Sequence, residues 1–301
     1  MRRYAFTMLE LVFVIVIMGI IGKFGVEFLA QAYKGFIFSN VNHTLQSNSE
    51  MAVESIASKL QFRIKDSTIG RKSTSFSSFE GLQKLQDLAL AERKQYNILE
   101  WVGTDIDGFR GTSTPLWSGI IDIGASLANG TNLVSPNSNT TNINNLIKVL
   151  ANYTVATDTT INNAAIYFIG SSSDIKTGYG WDGVALTNQN ETMHPISSTG
   201  VGTQFAPTIG TFSGIDIFEY YQLSWTAYAV VLDANNDLTL HYDYQPWEGD
   251  KYSDANTKTA LIMQNVDTFQ VTPVGSVIKI QVCVNSDLVE DYSLCKEKTI
   301  F

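Results

Sequence analysis

The sequence has little charge and few of the side chains that bind metals. Charged residues make up 16% of its 301 positions, and 20 basic against 29 acidic residues give a net charge of −9. A nucleic-acid-binding surface needs a clustered positive field, so this balance argues against nucleic acid as a partner. Three histidines and two cysteines are too few for a zinc ribbon, an iron–sulfur cluster or a haem site, so we expect no metal and no cofactor.

The sequence motifs of the large enzyme classes are also missing. There is no phosphate-binding P-loop, no paired-glycine dinucleotide motif, no H-E-x-x-H and no G-x-S-x-G. His194 and His241 have no adjacent nucleophile, and His43 falls within a predicted helix. We therefore expect a protein that is not an enzyme, and a membrane-anchored extracytoplasmic enzyme is the least favoured alternative. The hydrophobic content of 44% is ordinary, so a folded core is expected.

The N-terminus carries a short basic segment followed by a long apolar run. Arg2 and Arg3 precede a stretch from Leu11 to Gly22 that contains no charged residue. A helix over residues 6–28 would be about 34 Å long, enough to span a bilayer with its basic end in the cytoplasm. No convincing signal-peptidase site follows the run, which disfavours a cleaved secretory signal.

Glu10 is the feature that a plain membrane anchor does not explain. A carboxylate inside a spanning segment costs about 2.5–3.5 kcal/mol on insertion scales, and less if it lies near an interface. An acid at this position is therefore a candidate functional residue, and it needs a cationic partner.

The leader region reads Arg3-Tyr-Ala-Phe-Thr-Met-Leu-Glu-Leu-Val and resembles the class III leader of type IV pilins and type II secretion pseudopilins. In that family a prepilin peptidase cuts on the cytoplasmic side, between a small residue and Phe, and then N-methylates the Phe. The resemblance implies cleavage between Ala5 and Phe6 and N-methylation of Phe6. Gly usually precedes the cut in the family, and Ala5 stands in its place here. In the family the acid that matches Glu10 is taken to pair with the N-terminal amine of a neighbouring subunit, which gives it a role in assembly.

The resemblance also implies a function, a location and a set of partners. The expected function is that of a minor pilin or pseudopilin, a structural subunit of a type II secretion pseudopilus or a type IV pilus. Its expected partners are prepilin peptidase, the other pilin or pseudopilin subunits and, before assembly, the inner membrane. The chain would cross the bacterial inner membrane once, with its C-terminal domain in the periplasm, before joining the filament. An adhesive or uptake minor pilin that presents a ligand-binding surface stays open as the alternative.

Beyond the anchor, the sequence pattern predicts an α+β fold in which one long helix packs on an antiparallel β-sheet domain. Residues 23–65 contain no proline, and Met51, Ile56, Leu60 and Ile64 recur at helical spacing. The expected divisions of the chain are a leader over 1–5, a membrane-spanning assembly helix over 6–28, its amphipathic continuation over 29–65, and an extracytoplasmic domain over 66–301.

Alternating apolar residues predict the strands of this domain. The expected strands are 98–102, 116–123, 164–169, 183–186, the hairpin 225–231 with 238–244, and the later segments 269–271 and 278–284. We also expect a short surface helix from Phe79 to Ala89. Residues 125–165 are rich in Asn, Ser and Thr, so they are expected to form a looped insertion with a short helix near 143–151.

Two cysteines near the C-terminus are expected to form a disulfide. Cys283 and Cys295 lie in a region that the resemblance places outside the cytoplasm, where disulfides form. The family often closes its C-terminal region in this way. The apolar spacing of 261–271, followed by 277–282, also resembles the closing strands of J-type minor pseudopilins and W-type minor pilins.

Overall fold

The structure is a computed structural model that describes residues 7–72, 82–88, 95–275, 277–286, 288 and 292–301. The helices are α1 (Met8–Leu60), α2 (Ile106–Arg110), α3 (Ile123–Asn129) and α4 (Thr140–Leu150). The strands are β1 (Ile69–Arg71), β2 (Leu82–Lys84), β3 (Ile98–Gly103), β4 (Leu133–Val134), β5 (Ala165–Phe168), β6 (Met193–Ser198), β7 (Gln204–Pro207), β8 (Tyr221–Ser224), β9 (Thr226–Leu232), β10 (Leu238–Tyr244), β11 (Lys258–Met263), β12 (Val266–Val274), β13 (Val277–Asn285) and β14 (Ser293–Ile300).

The strands pair antiparallel and form three sheets within the described part of the chain. A six-stranded sheet has the order β11-β10-β9-β3-β1-β2, a three-stranded sheet the order β12-β13-β14, and a five-stranded sheet the order β4-β7-β6-β5-β8. Helix α1 packs chiefly on β14 and β13, with further contacts to β11 and β3. The predicted α+β fold, one long helix on antiparallel sheets, is therefore confirmed.

Helix α1 begins at a capping box and ends where the chain joins a sheet. The Thr7 hydroxyl accepts a hydrogen bond from the Glu10 N–H, while the Glu10 carboxylate accepts one from the Thr7 N–H. The helix ends at Leu60 rather than at residue 65. There the Ile64 N–H donates to the Val102 carbonyl at 2.9 Å, and this bond to a strand replaces the next helical turn.

The second half of α1 carries the apolar face that packs on the sheets. Ile56 and Leu60 are buried in one core with Val282 of β13 and Ile300 of β14. Met51, which the sequence spacing placed on the same face, is 61% exposed. Five residues separate Met51 from Ile56, which is about 140° around a helix, so the two side chains point in different directions.

The predicted disulfide closes the hairpin on which α1 rests. Cys283 and Cys295 face each other in the pairing of β13 with β14, and their sulfur atoms are 2.05 Å apart. A cross-link over a loop of this size contributes about 3 kcal/mol in the chain-entropy model. The predicted disulfide is confirmed, and it fixes the edge of the sheet that faces the helix.

Residues 125–165 are not the predicted loop. They contain α3, β4 and α4, and Ile143 and Ile147 of α4 are fully buried in a core shared with the five-stranded sheet. The polar residues serve as caps, since Asn139 Oδ1 accepts the Asn142 N–H at 3.0 Å where α4 begins. This segment and strands β5 to β8 form a second lobe, which we call the insertion lobe.

The strand predictions were correct for the hairpin and the later C-terminal segments, and for two of the four earlier segments. Strands β3, β5, β9, β10, β12 and β13 confirm the predictions near those positions, and α4 confirms the short helix. Residues 116–123 and 183–186 are not strands, although Ile120 makes an isolated bridge to Tyr220. The predicted helix from Phe79 to Ala89 is wrong at residues 82–87, which form β2 and a 3-10 turn, while Phe79 and Ala89 lie outside the described residues.

A buried ion pair joins the six-stranded sheet to the segment that follows β5. The Arg71 side chain of β1 and the Glu100 side chain of β3 are 3% and 1% exposed, and Arg71 Nε donates to Glu100 Oε1 at 2.5 Å. Arg71 Nη2 donates to the Trp181 carbonyl at 2.8 Å, and the Tyr244 hydroxyl donates to Glu100 Oε2 at 3.1 Å. The pair therefore holds Trp181 against the face of the sheet that is remote from α1.

We predict that Arg71→Met lowers the free energy of unfolding by about 3–5 kcal/mol, because it leaves Glu100 as an uncompensated buried charge. The double variant Arg71→Met with Glu100→Leu should recover most of this loss, since both charges are then removed. The measurement is urea unfolding of the full chain in detergent micelles. As a control, Lys279→Met breaks the half-exposed Lys279–Glu297 pair and should cost less than about 1 kcal/mol. A double variant as unstable as Arg71→Met would contradict this account.

Candidate functional site

The first half of α1 is an apolar helix that the rest of the described chain leaves uncovered. Every residue from Met8 to Phe36 is exposed, and the first buried residue of the helix is Val41. The most apolar 18-residue window has a mean hydropathy of 2.3, and none of it is buried. By length and composition, this helix can cross a membrane or serve as the apolar part of a signal.

Glu10 lies in the first turn of this apolar half. Its Oε2 atom accepts hydrogen bonds from the Thr7 N–H and the Thr7 hydroxyl, each at 3.0 Å. The carboxylate therefore points back toward the start of the helix. Ala5 and Phe6, the residues of the predicted cleavage and methylation, lie outside the described residues. Chemically, this arrangement offers a hydrogen-bond acceptor with a negative charge at the end of an apolar helix.

The contact between α1 and β14 attaches the folded part of the chain that follows α1, which we call the head, to the helix. We call this contact the seam. Lys296 lies 3.5 Å from the Glu50 carboxylate, and Lys298 pairs with Glu54 one helical turn further on. Nearer the apolar half, the Tyr292 hydroxyl donates to Asn42 Oδ1 at 2.9 Å. Exposed ion pairs contribute little stability, so the buried apolar side chains hold this seam and the charges fix its register.

A groove of about 650 Å³ opens where α1 ends, at the opposite end of the helix from Glu10. Apolar side chains from four separate segments line it, and several of them remain partly open to solvent. The most exposed of these side chains are Phe109, Ile120, Ile169 and Tyr220. Ligand pockets are commonly of this size and apolar character, so this groove is a candidate binding surface.

One wall of this groove is held by the buried acid Asp105. Its carboxylate accepts the Gly108 N–H at 3.1 Å and thereby caps α2, and it also accepts the indole N–H of Trp117 at 3.2 Å. Burial raises the pKa of Asp105 to about 6, and the charge of Asp107 adds to this, while the hydrogen bonds from Gly108 and Trp117 oppose it. Protonation of Asp105 near that pH therefore removes a charge from beneath the groove.

The three histidines differ in their exposure and in the groups that surround them. His43 is exposed on α1, and His241 Nδ1 lies 2.9 Å from the Tyr252 carbonyl. His194 of β6 is buried against Phe168, and burial lowers its pKa to about 4. Within the described residues, no group of three or more His, Cys, Asp or Glu side chains is placed to hold a metal ion.

Sequence reasoning identified Glu10 and the disulfide but missed the groove. The lining residues come from positions 61–66, 104–120, 167–169 and 220–222, and none of these stretches carries a binding motif. The aromatic residues between 217 and 252 do not share one environment, since Tyr220 and Phe218 are exposed and Trp225 and Trp247 are buried.

No family model, curated protein or solved structure matches the chain. Its function has therefore to be argued from its own residues and architecture.

We predict that two buried groups give the protein opposing dependences of stability on pH. Between pH 3.8, the ordinary pKa of an aspartic acid, and about pH 6, Asp105 is protonated in the folded protein but has lost its proton in the unfolded chain. Its contribution to stability therefore falls as pH rises through this range. Between about 4 and its ordinary pKa of 6.5, His194 has lost a proton that the unfolded chain retains, so its contribution rises with pH.

The variants Asp105→Asn and His194→Gln test this opposition. Asp105→Asn should make stability rise more steeply with pH than in the wild type, and His194→Gln should make it rise less steeply or fall. Each slope should change by up to about 1.4 kcal/mol per pH unit, the value for one proton. The measurement is urea unfolding at a series of pH values across this range. Parallel pH profiles for all three proteins would contradict the prediction.

Proposed function

We propose that this chain is a minor pilin or pseudopilin, a structural rather than catalytic subunit of a type II secretion pseudopilus or a type IV pilus. The observation that carries the proposal is the division of α1 into two halves. The half from Met8 to Phe36 is apolar and exposed, and the half from Val41 to Leu60 is docked on an antiparallel sheet. A helix of this kind can reside in a membrane through its first half while its second half anchors a folded head.

The position of Glu10 supports assembly rather than simple anchoring. When the subunit leaves the bilayer, its apolar half requires other apolar helices to cover it, because no part of its own described chain does so. In such a bundle an N-terminal amine would be a costly isolated charge, and a carboxylate from a neighbouring helix would neutralise it. Glu10 is the only charged residue between positions 7 and 22, so it can specify how far one helix slides along the next.

The location and partners follow from this proposal. The subunit would wait in the bacterial inner membrane as a single-pass protein with its head in the periplasm, where the Cys283–Cys295 disulfide can form. Prepilin peptidase would process it, and the other pilin or pseudopilin subunits would receive it.

We predict that the mature protein begins at Phe6 and that its N-terminus is methylated. Cleavage there removes both arginines of the leader and places an amine one helical turn from Glu10. The measurement is N-terminal mass analysis of protein purified from membranes. As a control, Ala5→Leu replaces the small residue before the cut and should block processing. A mature terminus at Met1, or one beyond Gly22, would be evidence against the family assignment.

We predict that Glu10→Val leaves membrane insertion and processing intact but sharply reduces incorporation into the filament. Insertion should be unimpaired or improved because a penalty of about 2.5–3.5 kcal/mol disappears. Glu10→Asp should be intermediate, since it keeps the charge but shortens its reach. The measurements are membrane fractionation and co-purification with the other filament subunits.

Glu27→Val is the matched control for Glu10→Val. Glu27 is also an exposed acid in the apolar half of α1, and it lies more than four turns from the helix start. The Glu27→Val variant should therefore assemble nearly as well as the wild type. Wild-type assembly by Glu10→Val, or an equal defect in Glu27→Val, would show that Glu10 has no specific role in register.

The groove at the distal end of α1 favours a second candidate function, that of an adhesive or uptake minor pilin. It presents Ile169 and Tyr220 at 51% and 54% exposure, at the end of the head that would face away from the membrane. The variant Ile169→Ser with Tyr220→Ser should reduce surface adherence or uptake by the cells while assembly stays normal. Val184→Ser, which changes an apolar residue of 61% exposure outside the groove, is the control. Unchanged adherence and uptake in the double variant would exclude this role for the groove.

A further inference from the structure

A second pocket, of about 330 Å³, lies in the insertion lobe and differs from the groove in being polar. Loops 170–172, 189–191 and 214–218 surround it, and His194 of β6 lies at its base. Among the described residues, no lysine or arginine lines this pocket. Its chemistry is therefore set by acceptor groups and one aromatic ring.

The hydrogen bonds of Gln189 fix the protonation of His194. Gln189 Nε2 donates to the carbonyls of Pro195 and Ile209, at 2.9 and 3.0 Å, so both N–H groups of this amide are in use. Its Oε1 is then an acceptor, and it lies 3.2 Å from His194 Nδ1. The proton of the ring is accordingly assigned to Nδ1, which leaves Nε2 with a lone pair.

The second ring nitrogen of His194, Nε2, is the atom that can accept a hydrogen bond from a ligand. His194 is 2% exposed and packs on Phe168 and Phe212, and it is one of the residues that line the pocket. Because Nδ1 is turned to Gln189, Nε2 is the ring atom that is left to accept a hydrogen bond from a ligand. Because burial holds the pKa of His194 near 4, the ring stays neutral at physiological pH and does not repel a cation.

Two carboxylates complete the acceptor set. Glu191 and Asp216 line the same pocket, and neither has an ion pair or a side-chain hydrogen bond to another described residue. Phe218, 36% exposed, contributes an aromatic ring at the edge. Negative charge, a neutral acceptor and an aromatic surface together suit a cation that carries N–H donors and an apolar stem.

We propose that this pocket binds an organic cation, a primary ammonium or guanidinium group. Its N–H groups would donate to Glu191, Asp216 and His194 Nε2, and its carbon stem would lie against Phe218. The cation is carried either by a free small amine or by a lysine or arginine side chain of another protein. This site is independent of the assembly role of α1, so either proposal stands if the other fails.

The test is a titration of the full chain, labelled with ¹³C and ¹⁵N in histidine and held in detergent micelles. The sequence contains three histidines, so the ring signals are few and His194→Gln assigns the relevant one. Butylammonium and butylguanidinium are the probes, and butanol is the neutral control. The signal of His194 should shift saturably with both cations and not with butanol, while His43 and His241 stay unchanged.

Charge removal at the pocket provides the second measurement. Asp216→Asn or Glu191→Gln should weaken binding about tenfold, the loss expected for one charge-assisted hydrogen bond. Glu219→Gln is the matched control, because Glu219 is an exposed acid on the same loop as Asp216 that does not line the pocket. It should bind like the wild type.

The source of the cation is resolved by comparing butylammonium with a lysine blocked at both its amino and carboxyl groups. Tighter binding of the blocked lysine assigns the pocket to a side chain of a partner protein, and tighter binding of butylammonium assigns it to a small amine. The proposal is overturned by equal shifts with butanol, by the absence of a saturable shift, by the same shift with calcium chloride alone, or by undiminished binding in both acid variants.

Discussion

The described part of the chain leaves the apolar half of α1 uncovered, so something else has to cover it, and this constraint organises the molecule. Residues from Met8 to Phe36 expose Phe13, Ile17, Phe24 and many similar side chains. In water such a surface would drive aggregation, since contiguous exposed apolar surface of this extent marks an interface or a membrane segment. In the proposed function, a bilayer would cover it before assembly and a bundle of like helices would cover it in the filament. This surface contains two acids, Glu10 and Glu27, and of these only Glu10 lies in the first turn of the helix.

Two features of the structure hold the head together next to this helix. Its first support is the apolar core between the second half of α1 and the strands β13 and β14, with the disulfide between those strands. Its second support is the buried pair of Arg71 and Glu100, which ties the insertion lobe to the other face of the sheet through Trp181. A buried pair of this kind specifies one arrangement of its neighbours even where it adds little net stability, because any other arrangement leaves a charge unpaired. The insertion lobe thus lies in a fixed position on the six-stranded sheet, with the groove at its boundary.

The sequence predicts those parts of the structure in which a local pattern determines the outcome. The apolar run, the helical spacing of Ile56 and Leu60 and the alternation of 225–231 and 238–244 each need only nearby residues to be interpreted. The prediction for Met51 was wrong because a spacing of five residues from Ile56 places the two side chains on different faces of the helix. The prediction of a looped insertion over residues 125–165 was wrong because it rested on their high content of Asn, Ser and Thr. In the structure Asn139 caps helix α4, and Ile143 and Ile147 contribute to a core. The groove and the pocket at His194 are formed by segments that are far apart in the sequence, so no local sequence pattern predicts them.

The central claim is that the uncovered half of α1 is an assembly surface. Photo-crosslinking in cells tests it most directly, with a photoreactive phenylalanine derivative introduced at Ile17 in the exposed half and, separately, at Ile56, which is 1% exposed beneath the sheets. The account predicts that Ile17 forms adducts with other pilin-like subunits when the assembly machinery is present and with lipid when it is absent, and that Ile56 forms none with other proteins. Adducts of Ile17 with lipid alone, while the filament is being assembled, would contradict it.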